Sequence, residues 1–324
     1  MNKKILSLAV AAAVAAPMAA QADVSVNGTV SRDMYMDSTA KGGSGGLVGG
    51  DAGTSKLEIN VKSGDAFAKA AWDIRAAAMP GSHQAYAPTT GAATTASGTT
   101  TSTATLYGMP AREQYAGIKT GGLSITIGRL ASAYAGTLKV DTMTANFLES
   151  RARAGGVTKV ASFNSGMLGF SGSAGDVGYN IQYGPAYVDF YGYSDNPIEA
   201  GVTFKAGDVG LGLGYQSDKS GNATAGISAK MKFGDIAVGA SYENDAGGYG
   251  AGCTAGTACN LVFADVAMPM GSGTLGLGLG SNTDASTSFA RLSYQMKMDA
   301  AKVTIGGSSA DGDTRIGAGM AVSF

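Results

Sequence analysis

Histidine, cysteine, proline and charged side chains are all scarce in this chain of 324 residues. The single histidine, His83, does not support a hydrolytic site built on a histidine base, and the carboxylates show no recognisable pairing. Two cysteines fall short of the four ligands of a structural zinc site, and no C-x-x-C-H motif for haem attachment occurs. We therefore expect a protein that is not an enzyme and that holds neither a metal nor a cofactor.

Charged residues make up only 15% of the chain, and the net charge is −1. A nucleic-acid partner would require a basic patch or stripe, so none is indicated. Glycine, by contrast, is abundant at 51 residues, which disfavours helices throughout. The apolar content of 44% and the weak net charge also argue against intrinsic disorder. A folded chain without extensive helix is the expectation from composition.

The first 22 residues have the organisation of a secretory signal peptide. Lys3 and Lys4 form a short positive region, and an apolar run covers residues 5–16. Ala20–Ala22 then supplies small residues at alternate positions, which predicts cleavage before Asp23. The alternative is a membrane anchor, but this run is too short to span about 30 Å of hydrocarbon as a helix. We expect a signal peptide at 1–22 and a single mature domain at 23–324.

Apolar and polar side chains alternate along most of the mature chain. The segments Lys56–Lys62, 68–75, 123–128 and 315–324 all place apolar residues at every second position. A period of two is the signature of a β-strand. No long uninterrupted apolar stretch follows Asp23, so the mature chain could enter a membrane only as a closed barrel. Strands of about ten residues are long enough to cross a bilayer when tilted, and their polar faces suit a wet lumen.

The connections alternate between tight turns and longer loops, as they do in bacterial outer-membrane barrels. The tight turns lie at 64–65, 120–122, 206–208, 234–235, 270–272 and 299–300. The longer loops lie near 38–53, 80–111, 130–156, 245–260 and 310–313. The pattern gives eighteen antiparallel strands, including 157–164, 167–173 and 186–194, with sixteen as the other even number. An even number returns both termini to the periplasmic side.

Four stretches resemble Gram-negative general porins, in the order in which that family has them. They are Asp23–Thr29, the hairpin containing Tyr115–Lys119 and Ile125–Arg129, the pair Ser162–Gly166 and Leu168–Gly172, and the terminal Phe324. The resemblance implies a transmembrane antiparallel β-barrel, usually of sixteen strands, that assembles as a trimer. It also implies that Phe324 is part of the signal by which the assembly machinery recognises such barrels.

The resemblance further implies that the loop 130–156 folds into the barrel and narrows it, with acidic residues facing a basic wall. The acids of this loop are Asp141 and Glu149. The candidate basic partners are Lys56, Lys62, Lys69, Arg75 and Arg112. Opposed charges across a narrow pore would impose a transverse field that disfavours apolar solutes. The alternative is that both acids are merely solvated, and basic residues beside them dilute the acidity of the loop.

The cysteines Cys253 and Cys259 lie six residues apart in the glycine-rich loop 245–260. After export they would face an oxidising compartment, which favours a small disulfide loop. We prefer this pairing to a metal site, because structural zinc needs four ligands.

The expected function is an outer-membrane porin that passes small hydrophilic solutes and ions passively. The expected surroundings are outer-membrane lipid and lipopolysaccharide, and a homotrimer is the expected assembly. A substrate-specific channel and a non-transport barrel, such as an adhesin or scaffold, are the alternatives. A ladder of aromatic residues facing the pore would favour the specific channel, and a plugged lumen would favour the non-transport barrel.

Overall fold

The computed structural model describes residues 22–37, 46–50, 55–73, 111–140, 163–184, 198–217, 223–245, 258–284, 287–310 and 313–324. These residues form seventeen strands and one short helix. The strands are β1 Asp23–Asp37, β2 Gly46–Gly50, β3 Lys56–Ser63, β4 Ala66–Asp73, β5 Ala111–Thr120, β6 Leu123–Ala131, β7 Phe163–Ala174, β8 Val177–Tyr183, β9 Ile198–Ala206, β10 Val209–Ser217, β11 Ala223–Phe233, β12 Ile236–Asp245, β13 Cys259–Met270, β14 Gly273–Asn282, β15 Thr287–Met298, β16 Ala301–Ala310 and β17 Asp313–Ser323. The helix α1 covers Ala133–Leu138 and follows β6.

The strands form one antiparallel sheet that closes into a barrel. Each strand from β3 to β17 pairs with its neighbour in sequence, and β1 pairs with β17 to close the ring. The strands β2 and β3 share one position, because β2 pairs with the second half of β1 and β3 with the first half. The barrel therefore has sixteen strand positions.

The expected count of eighteen strands is wrong, and the alternative of sixteen is confirmed. The segments 157–164 and 167–173 were expected to be two strands, but β7 runs unbroken through Asn164–Gly166. Gly166 has a φ of 70°, and the register against β6 shifts between Gly128 and Leu130. A bulge thus absorbs a turn-like sequence without reversing the chain. The expected strand 186–194 lies outside the described residues, and β8 pairs directly with β9.

Seven two-residue turns lie at one end of the barrel, together with Asp23 and Phe324. They are 64–65, 121–122, 175–176, 207–208, 234–235, 271–272 and 299–300. Six of them begin with a glycine whose φ lies between 53° and 63°, a conformation that such short hairpins require. The seventh begins with Asp299 at a φ of 52°. We call this end the turn end. The strand β2 lies inside the expected loop 38–53, so that loop is partly extended.

The two faces of the barrel wall differ in chemistry. One face carries large exposed apolar side chains, among them Leu213, Ile227 and Leu292. The other face carries glycine and polar side chains such as Glu199 and Arg291. The helix α1 packs against this second face of β8, β9, β10 and β11, so it is the inner face. The outer face is thus suited to contact with lipid. No helix within the described ranges is long and apolar enough to span a membrane.

The C-terminal residue completes the seam between the first and last strands. Gly28 and Phe324 exchange two backbone hydrogen bonds, each of 3.0 Å. The Phe324 ring covers Gly28 closely enough that a Cβ there would overlap it. Glycine at this position therefore admits the terminal aromatic ring against the outer wall. The role of Phe324 as an assembly signal stays a prediction.

Candidate functional site

The chain turns into the barrel directly after β6. Ser132 begins this in-folded segment, its side-chain oxygen accepting a hydrogen bond from the Ala135 amide at 3.0 Å. Such an N-cap satisfies one of the free amides at the start of a helix. The side chains of Tyr134, Leu138 and Val140 are completely buried. We call Ser132–Val140 the in-folded segment, and it narrows the lumen from the side of β8 to β12.

Two carboxylates of the barrel wall anchor the in-folded segment. Glu199 of β9 accepts hydrogen bonds from the Ser132 hydroxyl at 2.7 Å and the Tyr134 amide at 3.3 Å. Glu243 of β12 accepts one from the Tyr134 hydroxyl at 2.6 Å. Hydrogen bonds to charged groups contribute about 1.5–3 kcal/mol each. Both carboxylates are buried, so the segment shields them from the water of the lumen.

Neutral side chains add further anchors on either side. The Gln182 amide of β8 donates to the Ala131 carbonyl at 2.7 Å, just before the segment. The Ser228 hydroxyl of β11 donates to the Thr137 carbonyl at 2.9 Å, near the end of α1. Anchors therefore come from four of the five strands between β8 and β12, which holds the segment flat against the wall.

Glycines make room for the segment on the inner face. They are Gly201, Gly212, Gly214, Gly226 and Gly239, on β9 to β12. A Cβ at Gly226 would come within 2.5 Å of the Leu138 side chain, and one at Gly239 within 2.5 Å of the Val140 carbonyl. The wall is therefore reduced to bare backbone where the segment lies. Any larger residue at these glycine positions would disrupt the close packing between the wall and the segment.

The far end of the segment reaches the next strands of the wall. Val140 joins Phe263 of β13 and Phe289 of β15 in a buried apolar cluster. The two phenylalanine rings have centroids 6.3 Å apart. Beside this cluster, Asp265 and Arg291 form an ion pair of 3.1 Å with both side chains fully buried. Gly278 lies between them in register, and its missing side chain lets the pair form across β14.

The opposite wall carries a row of partly exposed charges on β3, β4 and β5. Lys56 contacts Glu58 at 2.8 Å, and Lys69 contacts Glu58 at 3.5 Å. Lys69 also forms an ion pair with Glu113. The row therefore alternates in sign, and we call these four residues the mixed-charge row. Lys62 continues the same face of β3 towards the turn end, with its side chain exposed.

This arrangement is a closed barrel with a polar lumen, an apolar outer wall and one anchored segment inside. Residues 7–321 match the family model of Gram-negative porins. The chain belongs to the Gram-negative porin family. It is thus an outer-membrane porin channel, and its lumen is the functional site.

Solved structures share the fold of this porin at low sequence identity. A loop L8 deletion mutant of OmpT, an outer membrane protein of Vibrio cholerae, matches with a TM-score of 0.65 at 11% identity, covering 94% of this chain and 100% of that one. An anion-selective porin from Comamonas acidovorans matches with a TM-score of 0.62 at 14% identity, over 94% and 100%. The trimer form of in-vitro folded OmpT matches with a TM-score of 0.58 at 11% identity, over 94% and 99%. No curated protein matches the sequence.

The sequence-predicted residues of the porin fall into two groups. Asp141, Glu149, Arg75 and Cys253 lie outside the described residues. The described ones are Lys56, Lys62, Lys69, Arg112, Cys259 and Phe324. Their functional roles stay predictions.

Two of these described residues have contacts that bear on their predicted roles. The Arg112 carbonyl accepts a hydrogen bond from the Arg129 guanidinium at 3.0 Å. Cys259 is buried and disulfide-bonded, and the only other cysteine is Cys253.

The anchors of the in-folded segment were missed by sequence reasoning. Glu199 and Glu243 look like any other polar residue of an alternating strand, and only the fold brings them to Tyr134. One signal was available, because Gly201, Gly212 and Gly226 occupy the polar positions of three consecutive strands. Such a run indicates a wall against which another segment packs.

Replacing Gly239 by alanine is expected to destabilise the packing of the in-folded segment by about 1–3 kcal/mol, because the new methyl group overlaps the Val140 backbone. Gly210→Ala is the matched control, since the nearest atom to a Cβ there is the Lys230 carbonyl oxygen at 3.8 Å. Urea unfolding of the detergent-folded barrels checks this. Equal midpoints for the two variants would contradict the close packing.

Proposed function

We propose that this porin is a general diffusion channel for small hydrophilic solutes and ions. It works without catalysis or a cofactor, and it assembles as a homotrimer surrounded by outer-membrane lipid and lipopolysaccharide. The leader 1–22 directs export and is removed before Asp23. In this proposal Asp141 and Glu149 belong to the constriction. The basic residues of the facing wall are Lys56, Lys62, Lys69, Arg75 and Arg112.

Solvent exposure of the mixed-charge row is the observation that carries the proposal. The exposed fraction of the side chain is 35% for Lys56, 20% for Lys69 and 15% for Glu58. The residues that hold the in-folded segment are, by contrast, buried. Among the described residues, water therefore reaches one wall while the other is covered, which supports a narrowed lumen over a plugged one.

The mixed-charge row contains both positive and negative side chains, so we expect only a weak preference between cations and anions. Glu58 and Glu113 offset Lys56 and Lys69, although sequence reasoning had placed only the basic residues in the facing wall. Charges of both signs side by side give a local field without a large net potential. Small neutral solutes and ions of either sign should therefore pass.

Lys69→Met is expected to raise the permeability of K⁺ relative to Cl⁻ about twofold, since Glu58 and Glu113 then have one cation fewer beside them. The reversal potential under a KCl gradient measures this ratio. Lys69→Arg keeps the charge and is the matched control. An unchanged reversal potential in Lys69→Met would show that permeating ions do not pass this row.

Aromatic residues of the described inner wall lie in separate places. Tyr35 of β1 packs under the Arg315 guanidinium, which lies 5.2 Å from the ring centroid. Phe67 and Tyr115 pack edge to face with centroids 6.2 Å apart on β4 and β5. Phe263 and Phe289 are buried under Val140. A specific sugar channel would use a continuous aromatic ladder, and these two pairs do not form one.

The homotrimer is supported by the likeness to a porin-fold protein that was solved as a trimer. The outer wall supplies apolar surface for such contacts, for example Ala66, Ala68 and Ala70 on the outer face of β4. Small side chains in a row permit close approach of a neighbouring wall.

Single-channel recording of the purified, detergent-folded protein in a planar bilayer tests the proposed function. We expect near-ohmic steps that occur in threes, and swelling of proteoliposomes in small sugars of unrelated structure. Current blocked by one particular sugar would instead establish a specific channel. Absence of conductance from a demonstrably folded barrel would overturn transport and leave an adhesin or scaffold.

A further inference from the structure

A lysine recurs two residues before the tight turn in five of the seven hairpins. These lysines are Lys62, Lys119, Lys205, Lys232 and Lys297, near the ends of β3, β5, β9, β11 and β15. Lys302 occupies the corresponding place on the returning strand β16, two residues after the turn. Six lysines thus lie at one level of the barrel, close to the turn end.

All six lysines belong to the inner face. Side chains two apart in a strand share a face, so Lys205 shares that of Gly201, against which α1 packs. Lys297 shares the face of Arg291 in the same way, and the strand registers extend the assignment to the rest. All six are exposed, so they line an open mouth of the lumen. We call them the lysine ring.

The positive charge is densest at Lys297 and Lys302. These two residues are direct partners in the register of β15 and β16. Direct antiparallel partners have Cα atoms about 4.5–5.5 Å apart, and like charges placed there destabilise a sheet. Within the described chain, no carboxylate forms an ion pair with either lysine.

Acidic residues near the ring lie mainly beyond it. Asp23 faces Lys62 in register on the inner face. The other acids are at the tips of the turns, where they border the mouth: Asp65, Asp176, Asp208, Asp235 and Asp299. A solute that has passed the turn tips is therefore beside the ammonium groups. Asp23 is on β1, two strands from β16, and the registers place Ser31 rather than Asp23 level with Lys302.

We infer that the lysine ring binds small polyvalent oxyanions of the polyphosphate class, with the Lys297–Lys302 pair at its centre. Ammonium groups bind phosphate oxygens as point charges, and one polyvalent anion can neutralise both lysines. The turns of such barrels face the periplasm, so the site lies at the periplasmic mouth. The inference adds a ligand to the proposed channel and rests on it for its effect on current.

Tripolyphosphate tests the inference in two measurements. The first is titration calorimetry with the detergent-folded protein at low and high NaCl, since salt screens exposed charges. The second is open-channel current with tripolyphosphate added to one chamber and then to the other. We expect block from the turn side only, and a half-blocking concentration about tenfold higher in Lys297→Gln/Lys302→Gln. The charge-preserving variant Lys297→Arg/Lys302→Arg should block like the wild type.

The outcomes separate the site from the channel. The lysine ring is overturned as a binding site if tripolyphosphate blocks equally from both sides, or if it blocks the glutamine variant as well as the wild type. The proposed channel function is unaffected by either result. A folded barrel that binds tripolyphosphate in calorimetry but does not conduct overturns transport. If the glutamine variant loses that binding, the lysine ring is supported as the binding site. If the conducting protein gives no heat of tripolyphosphate binding in calorimetry, the lysine ring is also overturned as a binding site.

Discussion

The double variant Glu199→Ala/Glu243→Ala should conduct more current per open channel than the wild type and admit larger sugars. The two carboxylates accept three hydrogen bonds from Ser132 and Tyr134. Losing these bonds removes on the order of 5 kcal/mol of attachment, because each involves a charged acceptor. The in-folded segment would then leave the wall for part of the time. Single-channel recording and proteoliposome swelling with sugars of increasing size measure the change.

Glu58→Ala is the matched control for this experiment. It also removes an inner-face carboxylate, but Glu58 contacts Lys56 and Lys69 on the opposite wall. We expect a changed ion preference with an unchanged size limit for sugars. If the double variant folds and keeps the wild-type size limit, the carboxylates do not hold the constriction, and apolar packing of Leu138 and Val140 alone must do so.

Asp265→Ala should destabilise the folded barrel by about 3–5 kcal/mol, since it leaves the charge of Arg291 buried without this partner. The pair is 3.1 Å long and both side chains are fully buried. Two measurements report this loss. One is the midpoint of urea unfolding, and the other is the temperature at which the band of the folded barrel disappears from an SDS gel of unboiled samples. Lys56→Ala breaks a partly exposed pair and should cost less than about 1 kcal/mol.

A compensating variant separates charge from packing at the same place. Asp265→Leu/Arg291→Met removes both charges and fills similar space, so it should recover most of the stability that Asp265→Ala loses. If Asp265→Ala unfolds at the wild-type midpoint, the Arg291 guanidinium is satisfied by other groups of the lumen. If the double variant is no better than Asp265→Ala, loss of packing rather than the buried charge explains the effect.

The strands and their turns could be predicted because their signals are local. Alternation between neighbouring positions defines each strand, and the glycine-led turns at 64–65, 207–208 and 234–235 are recognised from two residues. The same local rule failed at Asn164–Gly166, where a turn-like sequence sits within β7 as a bulge. Whether such a sequence reverses the chain depends on the strand beside it, which sequence patterns do not contain.

The candidate site also contains some features that local sequence predicts and others that depend on distant strands. Lys56, Lys62 and Lys69 were placed on one face because they lie on two strands joined by a two-residue turn. The ion pair of Lys69 with Glu113 needs β5, which follows β4 only after a long connection. Alternation already places Glu58 on the face of Lys56, but pairing across such a distance is fixed by barrel closure, so the contribution of Glu113 to this wall could not be deduced.

The sequence by itself determined that this protein is a strand-rich barrel with a polar inner face, because an alternating pattern can bury only one face of a strand. Its resemblance to porins was also carried by short local stretches. Only the tertiary structure decided that sixteen positions close the ring, that Glu199 and Glu243 bind the in-folded segment, and that Lys297 and Lys302 meet in one ring with lysines of distant hairpins. Those outcomes depend on register and closure, which arise when strands far apart in the chain share one wall.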